Sequence, residues 1–294
     1  MEKEAICKVC GSNSFLDVFQ VKDTLVSGNY FNIKECEKCG LRITYPYPEA
    51  SKLGSYYLSK DYISHTDRKT TFFEKLYGFV KKYAIKKKVS LVKDFGTNAL
   101  DMGCGTGSFL EALRNSGKKV YGIEPDEGAR AIAVKKAGCE VYPDLNMYLN
   151  LQAGLLMDCI TLWHVLEHIP DFDLTILKLV NALSEGGKLL IAVPMSKSYD
   201  AAYYGSNWAA YDVPRHLFHF NRETLKAICE KSGLKLISHN PMFFDSFYVS
   251  ILSERSKKRK FAFLRGSWIG LVSNLYALFG VSPYSSEIFI FEKK

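Results

Sequence analysis

Hydrophobic and polar positions follow one rhythm up to about residue 50, a second to about 95, and a third beyond it. In the third region, short buried runs alternate with helix-spaced ones. Residues 99–101, 120–124, 140–142 and 157–163, and the nearly continuous Leu/Ile/Val of 188–193, predict strands, the last covered on both faces. Phe109, Leu110 and Leu113 mark one helix. Residues 127–137 form another, closed by Gly138, and Leu174, Leu177, Val180 and Leu183 give the buried stripe of a third. Asn221 caps a helix bearing Leu225, Ile228 and Cys229 that Gly233 stops, and residues 286–292 supply a last strand. Such alternation predicts an α/β domain with a mostly parallel sheet.

Before it, Phe72, Phe73, Leu76, Phe79 and Val80 have helical spacing and predict a connector, with Lys81, Lys82, Lys86, Lys87 and Lys88 on its solvated face. Three units result: residues 1–45, a connector or lid at 46–95, and a main domain at 96–294 with insertions at 196–220 and 250–283. The hydrophobic share of 47% excludes wholesale disorder, and a net charge of +8 favours anionic neighbours without naming one. Residues 1–5 lack the apolar run of a signal peptide, so a cytoplasmic location is expected. Residues 261–280 are apolar but interrupted by Arg265, Ser267 and Asn274, and they follow a basic run at 255–260. They read as a helix packed on the sheet or as an interfacial, headgroup-seeking one, which gives membrane-peripheral contact through 255–280 as the alternative location.

The eight cysteines fall into two groups. Cys7, Cys10, Cys36 and Cys39 form two C-x2-C pairs, each followed by glycine (Gly11, Gly40). Two such pairs grip one tetrahedral Zn²⁺, so residues 1–45 read as a zinc ribbon with a structural, four-ligand site. Cys104, Cys139, Cys159 and Cys229 lie singly among apolar residues and read as core.

Residues 100–107, Leu-Asp-Met-Gly-Cys-Gly-Thr-Gly, place Gly103, Gly105 and Gly107 after a strand and before a helix. A dinucleotide fingerprint would carry a third glycine where Ser108 stands. Asp101 before the loop would repel a pyrophosphate but welcome an ammonium, and Glu124 ends the next strand, where a carboxylate accepts from both ribose hydroxyls. The pattern suits a cationic nucleoside.

These residues resemble the cofactor site of class I S-adenosylmethionine-dependent methyltransferases, over about residues 95–195. The resemblance implies a Rossmann-like seven-stranded sheet of order 3-2-1-4-5-7-6 with strand 7 antiparallel. It assigns Asp101 and the loop Gly103, Cys104, Gly105 and Gly107 to the methionine moiety, Glu124 to the ribose, Pro125 and Asp126 to the sides of the adenine, and Asp144 to its amino group or to a helix N-cap. His164-Val-Leu-Glu-His168 formally matches an inverted zinc-peptidase motif, but it runs off a strand. In the methyltransferases this strand end lines the transfer chamber, which makes His164, Glu167 and His168 candidates for orientation or proton removal and His164 a cofactor contact. The aromatic stretch Tyr203, Tyr204, Trp208 and Tyr211, followed by Asp212-Val-Pro-Arg-His216, is similar to that of a subgroup with an N-terminal zinc ribbon and a segment like Tyr56-Tyr57. There His216 would act as base and Arg215 would hold an anionic acceptor, or both would clamp the loop. The expected activity is methyl transfer to a small-molecule, sugar or lipid-linked acceptor, as in cell-envelope or polysaccharide biosynthesis, with transfer to carbon on nucleotide-linked sugars as a variant. An RNA methyltransferase gripping nucleic acid through ribbon and charge is a rival that lacks the expected Asn/Asp-Pro-Pro-aromatic segment. A non-enzymatic zinc-ribbon adaptor is the other.

Overall fold

In a computed structural model, residues 5–57 and 72–294 are described. The middle of the predicted connector, residues 58–71, and the side chains of Phe72, Phe73, Leu76, Phe79 and Lys81 lie outside that description.

Seven strands form the main sheet: β4 (Asn98–Met102), β5 (Lys119–Ile123), β6 (Val141–Tyr142), β7 (Met157–Trp163), β8 (Leu183–Pro194), β10 (Leu234–Pro241) and β11 (Ser286–Lys293). Their spatial order is β10-β11-β8-β7-β4-β5-β6. From β6 to β8 all pairings are parallel, whereas β11 runs antiparallel to both β8 and β10. This is the order and the strand inversion that the sequence led us to expect. β4 lies central, and its neighbours β5 and β7 bring their carboxyl ends alongside the glycine loop. Helix Glu127–Ala137 has the predicted bounds, with Asp126 Oδ1 accepting from Ala129 N at 2.7 Å as its N-cap. Asn221 and Thr224 close a reciprocal capping box on helix Arg222–Lys231.

Two readings of helical faces are corrected. In helix Phe172–Ala182 the buried positions are Phe172, Ile176, Leu179, Val180 and Ala182; of the predicted stripe Val180 and the following Leu183 are buried, while Leu174 and Leu177 are exposed. A spacing of three drifts around a helix of 3.6 residues per turn, and the i, i+4, i+7 set wins the core. Helix Phe72–Val92 leaves Lys82 and Lys86 exposed but turns Lys87 and Lys88 inward. The Lys87 Nζ lies 5.0 Å from the Phe243 ring centre and that of Lys88 4.3 Å from the Trp163 ring centre.

The N-terminal strands β1 (Phe15–Lys22), β2 (Tyr30–Cys36) and β3 (Arg42–Tyr45) form a second sheet whose fourth strand, β9 (Phe218–His219), comes from the far end of the 196–220 insertion. Side-chain and main-chain bonds reinforce this junction. Thr44 N donates to Leu217 O at 3.0 Å, and Thr44 Oγ1 donates to His216 O at 2.6 Å. The Arg42 guanidinium reaches Ser196 O and the Tyr211 hydroxyl. Cys7, Cys36, Leu41 and Ile43 share one apolar core with Leu217, Phe218 and Phe220.

Helix Ala262–Leu278 packs chiefly on helix Phe243–Ser256, with a smaller contact to helix Tyr199–Tyr204, rather than against the main sheet as expected. Gly266 and Gly270 meet the backbone of Ile251 and Phe247 so closely that an added Cβ would stand 2.5 and 2.8 Å away. Small residues therefore set this contact. On the opposite side Leu264, Trp268, Leu271, Leu275 and Leu278 form an exposed apolar stripe. Among the described residues no helix is long and apolar enough to cross a membrane.

Candidate active site

Gly103, Gly105 and Gly107 all take positive φ, of 73°, 54° and 76°. The reasons differ. A Cβ on Gly103 would stand 2.4 Å from Val165 Cγ2, and one on Gly107 2.8 Å from Ala133 Cα, so both glycines permit close packing. Gly105 has nothing within 4 Å of that position. Its face is open, as a ligand cradle requires. Cys104 turns its thiol into the core beside Gly122, leaving only its backbone on the loop.

Asp101 is buried at the end of β4, opposite Thr161 of β7, whose hydroxyl donates to Asp101 Oδ1 at 2.6 Å. Burial raises its carboxyl to about 7, against the Thr161 bond and the positive charge of Lys88. Lys88 is the residue that sequence reasoning missed. Burial lowers its ammonium pKa, while Asp101 and Asp245 draw it the other way. Glu124 Oε2 accepts from Gly105 N at 2.8 Å and Oε1 from Asp126 N at 3.0 Å, which couples the ends of β4 and β5. Asp144 caps helix Leu145–Leu151, accepting from Met147 N at 2.9 Å. Pro125 O is held by Arg130 Nη1 at 2.9 Å.

At the end of β7, His164 sits at φ 57°, a left-handed conformation that costs a non-glycine residue on the order of 1–3 kcal/mol. Its Nε2 lies 3.0 Å from Asp245 Oδ2 and its Nδ1 3.5 Å from Glu167 Oε1. Burial opposes charge on this ring, but the two carboxylates outweigh it and raise the pKa to about 9. Glu167 is fully buried; burial pushes its carboxyl up, and His164, His216 and His168 together hold it at about 2. His168 and His216 meet edge to face at 4.5 Å. Burial and the neighbouring His216 lower His168 to about 4.

His164, Glu167, His168 and His216 thus converge at one end of the sheet, next to the glycine loop through the Gly103–Val165 contact. Arg215 does not join them. It is 1% exposed, bonded to Asp212, Asp23 and Tyr56 O, and clamps its loop. Trp208 and Tyr211 are core as well, and Tyr203 is exposed.

At the ribbon, Cys7 and Cys39 sulfurs are 3.5 Å apart, as are those of Cys10 and Cys36, and all four lie within 4.8 Å of one another. Gly11 N donates to Cys7 O and Gly40 N to Cys36 O, both at 2.8 Å, forming matching turns at positive φ. Tetrahedral Zn–S bonds of about 2.3 Å place sulfurs about 3.8 Å apart, so the donor set fits zinc.

A methyltransferase-domain family model matches residues 73–239, more than half of the chain, and the chain belongs to that family. Uncharacterized methyltransferases of Bacillus mycoides and Bacillus anthracis are 33% and 32% identical to it over 111 residues, 37% of this chain. The chain spans about half the length of these curated relatives, 52% in each. Among solved structures, magnesium protoporphyrin IX methyltransferase of Synechocystis, with bound S-adenosylhomocysteine, superposes with a TM-score of 0.54 at 14% identity. That match covers 84% of this chain and all of the other. A cyclopropane synthase of Mycobacterium tuberculosis gives 0.52 at 16% identity, over 85% and 100%. At such identities the likeness is one of fold: a class I methyltransferase sheet.

Proposed function

We propose that this chain is an enzyme that transfers a methyl group from S-adenosylmethionine to a small-molecule, sugar or lipid-linked acceptor. The observation that carries this reading is the open face of Gly105 bracketed by Glu124 and the buried Asp101. Two carboxylates and a glycine turn make a crevice for a cationic nucleoside and a poor one for a pyrophosphate. S-adenosylmethionine supplies a methyl already activated on a sulfonium. Asp101 and the backbone of Gly103, Cys104, Gly105 and Gly107 would hold its amino-acid end, Glu124 its ribose, and Pro125 and Asp126 would flank the base. Asp144, engaged as a cap, would meet the adenine with its free oxygen. His164, His168 and His216 would face the acceptor, orienting it and handling its proton; alignment and exclusion of water supply most of the acceleration. The four cysteines would hold a structural zinc.

Calorimetric titration of S-adenosylhomocysteine, with NADH as control, tests the cofactor site. Glu124→Ala removes a charged acceptor and should cost about 1.5–3 kcal/mol, roughly 10- to 100-fold in affinity. Absence of binding by the folded, zinc-loaded chain would overturn the reading.

The exposed stripe on helix Ala262–Leu278 favours a lipid-linked acceptor reached at a membrane surface. Leu264, Trp268, Leu271, Leu275 and Leu278 lie in one line, beside the exposed Lys258 and Lys260. Apolar anchors beside cations suit an anionic bilayer surface. Wild type should sediment with anionic vesicles, and Trp268→Glu with Leu271→Glu should release it. A wild type that ignores anionic vesicles would leave soluble acceptors alone in the field.

A further inference from the structure

Glu167, His168 and His216 each offer one ligand atom, and those atoms lie within 4.8 Å of one another. The two imidazoles are held in the same way. His168 Nδ1 stands 3.0 Å from Arg215 O, and His216 Nδ1 stands 2.8 Å from Ala210 O. A carbonyl oxygen only accepts, so each Nδ1 carries a proton, and in the neutral ring each Nε2 keeps a lone pair for a metal. The Tyr57 hydroxyl, 3.0 Å from His168 Nδ1, is a further partner on the same side of that ring. Histidines that ligate metals are oriented by a hydrogen bond from their other nitrogen in this manner.

The carboxylate completes the set. Glu167 is 1% exposed in its side chain, and neither of its oxygens has a hydrogen-bond partner among the described residues. The Nε2 of His216 is 4.0 Å from Oε1. His164 Nδ1, at 3.5 Å, approaches only that same oxygen, and its other nitrogen is engaged by Asp245. Oε2 is left with no counterpart. With His164 beside Oε1, it is this buried and unpartnered Oε2 that is free to meet a further cation. The segments bearing the three residues are also tied together, since Leu217 N donates to Glu167 O at 2.8 Å.

We propose that Glu167, His168 and His216 bind a divalent first-row transition cation, leaving coordination positions open toward the acceptor. Two imidazoles and one carboxylate gathered on one side of an ion leave the other side to oxygen ligands. The proposal rests on the methyl-transfer reading for its role: vicinal acceptor hydroxyls would complete the coordination. The hydroxyl to be methylated would lose its proton to solvent under the influence of the ion. Its oxygen lone pair would then form the bond to the methyl carbon as the carbon–sulfur bond breaks, with that electron pair going to sulfur. His168 and His216 would thus serve as ligands rather than as bases.

The test uses the zinc-loaded full chain. Mn²⁺ binding is followed by the loss of the free-ion paramagnetic resonance signal. Co²⁺ binding is followed by weak visible bands without the thiolate charge-transfer absorption of a cysteine site. One ion per chain is expected, weakened about tenfold or more in Glu167→Gln and in His216→Asn, with Glu124→Ala unchanged. Retained zinc and retained S-adenosylhomocysteine binding show that Glu167→Gln and His216→Asn are folded, and retained zinc shows it for Glu124→Ala. If neither ion binds wild type better than the Glu167→Gln/His216→Asn double variant, the proposal falls. S-adenosylhomocysteine titrated in parallel keeps the two claims apart: ligand binding without metal binding sinks only the metal site, and the reverse sinks only the methyl-transfer reading.

Discussion

Asp101 gives the sharpest handle on the proposed cofactor crevice. Burial holds its carboxyl at about 7, so near neutrality the free chain carries this group half protonated. A ligand ammonium pairs only with the ionised form. Affinity should then scale with the ionised fraction, which is about 10% at pH 6 and about 75% at pH 7.5, a gain of about eightfold or roughly 1.2 kcal/mol. Binding at pH 7 should release about half a proton, visible as a calorimetric enthalpy that changes with the buffer's own ionisation heat. Asp101→Asn should flatten the profile and bind more weakly than wild type at pH 7.5. The sign for stability is opposite. The unfolded chain ionises this aspartate at its ordinary value, so the free fold loses stability as pH rises from about 4 through about 7. A wild-type affinity that stays flat between pH 6 and pH 7.5 would refute the assignment of Asp101 to a ligand ammonium.

Gly107→Ala and Gly105→Ala should separate packing from binding. The first drives a Cβ against the Ala133 backbone at positive φ and should lose about 1–3 kcal/mol of stability. Gly105→Ala, facing open space, should cost less in stability yet block S-adenosylhomocysteine more completely; the opposite ranking in denaturant melts and titrations would contradict the assignment. Arg215→Ala leaves the buried Asp23 without its cation and should destabilise by about 3–5 kcal/mol in urea unfolding. A cost below about 1 kcal/mol would show that the clamp does not hold the loop. Metal analysis should find close to one zinc per chain, and Cys36→Ser should lose both the metal and the β-sheet signal of the ribbon.

What the sequence disclosed, and what it hid, follows from range. The glycine loop, helix Glu127–Ala137 and strand β7 were legible because caps, turn residues and periodicity act over a few neighbours. The sheet order was not in the periodicity at all; it came from the likeness of residues 100–107 and Glu124 to a known cofactor site. The two-residue strand β9 left no mark, since its pairing partner β3 stands more than 170 positions away. Leu174 and Leu177 look as suited to burial as Ile176 and Leu179, and only the neighbouring surface decides between them. Lys87 and Lys88 read as part of a solvated basic run until aromatic rings from elsewhere cover them. Arg215 looked like an anion receptor because its two carboxylate partners include Asp23, from the other end of the chain.

The loan of β9 to the ribbon has a consequence for biosynthesis. Strands β1 to β3 leave the ribosome before β9, the strand that covers the edge of β3, which follows only after about 170 further residues. At ordinary translation rates this is a delay of about 10–35 s. Throughout it, Ile43 and the main-chain groups of β3 face solvent as an open edge, the kind that invites pairing with foreign strands. Early zinc capture would fix the register of the nascent sheet during that interval. On the proposed zinc-binding role of the four cysteines, the ribbon would take up its metal well before the methyltransferase domain exists.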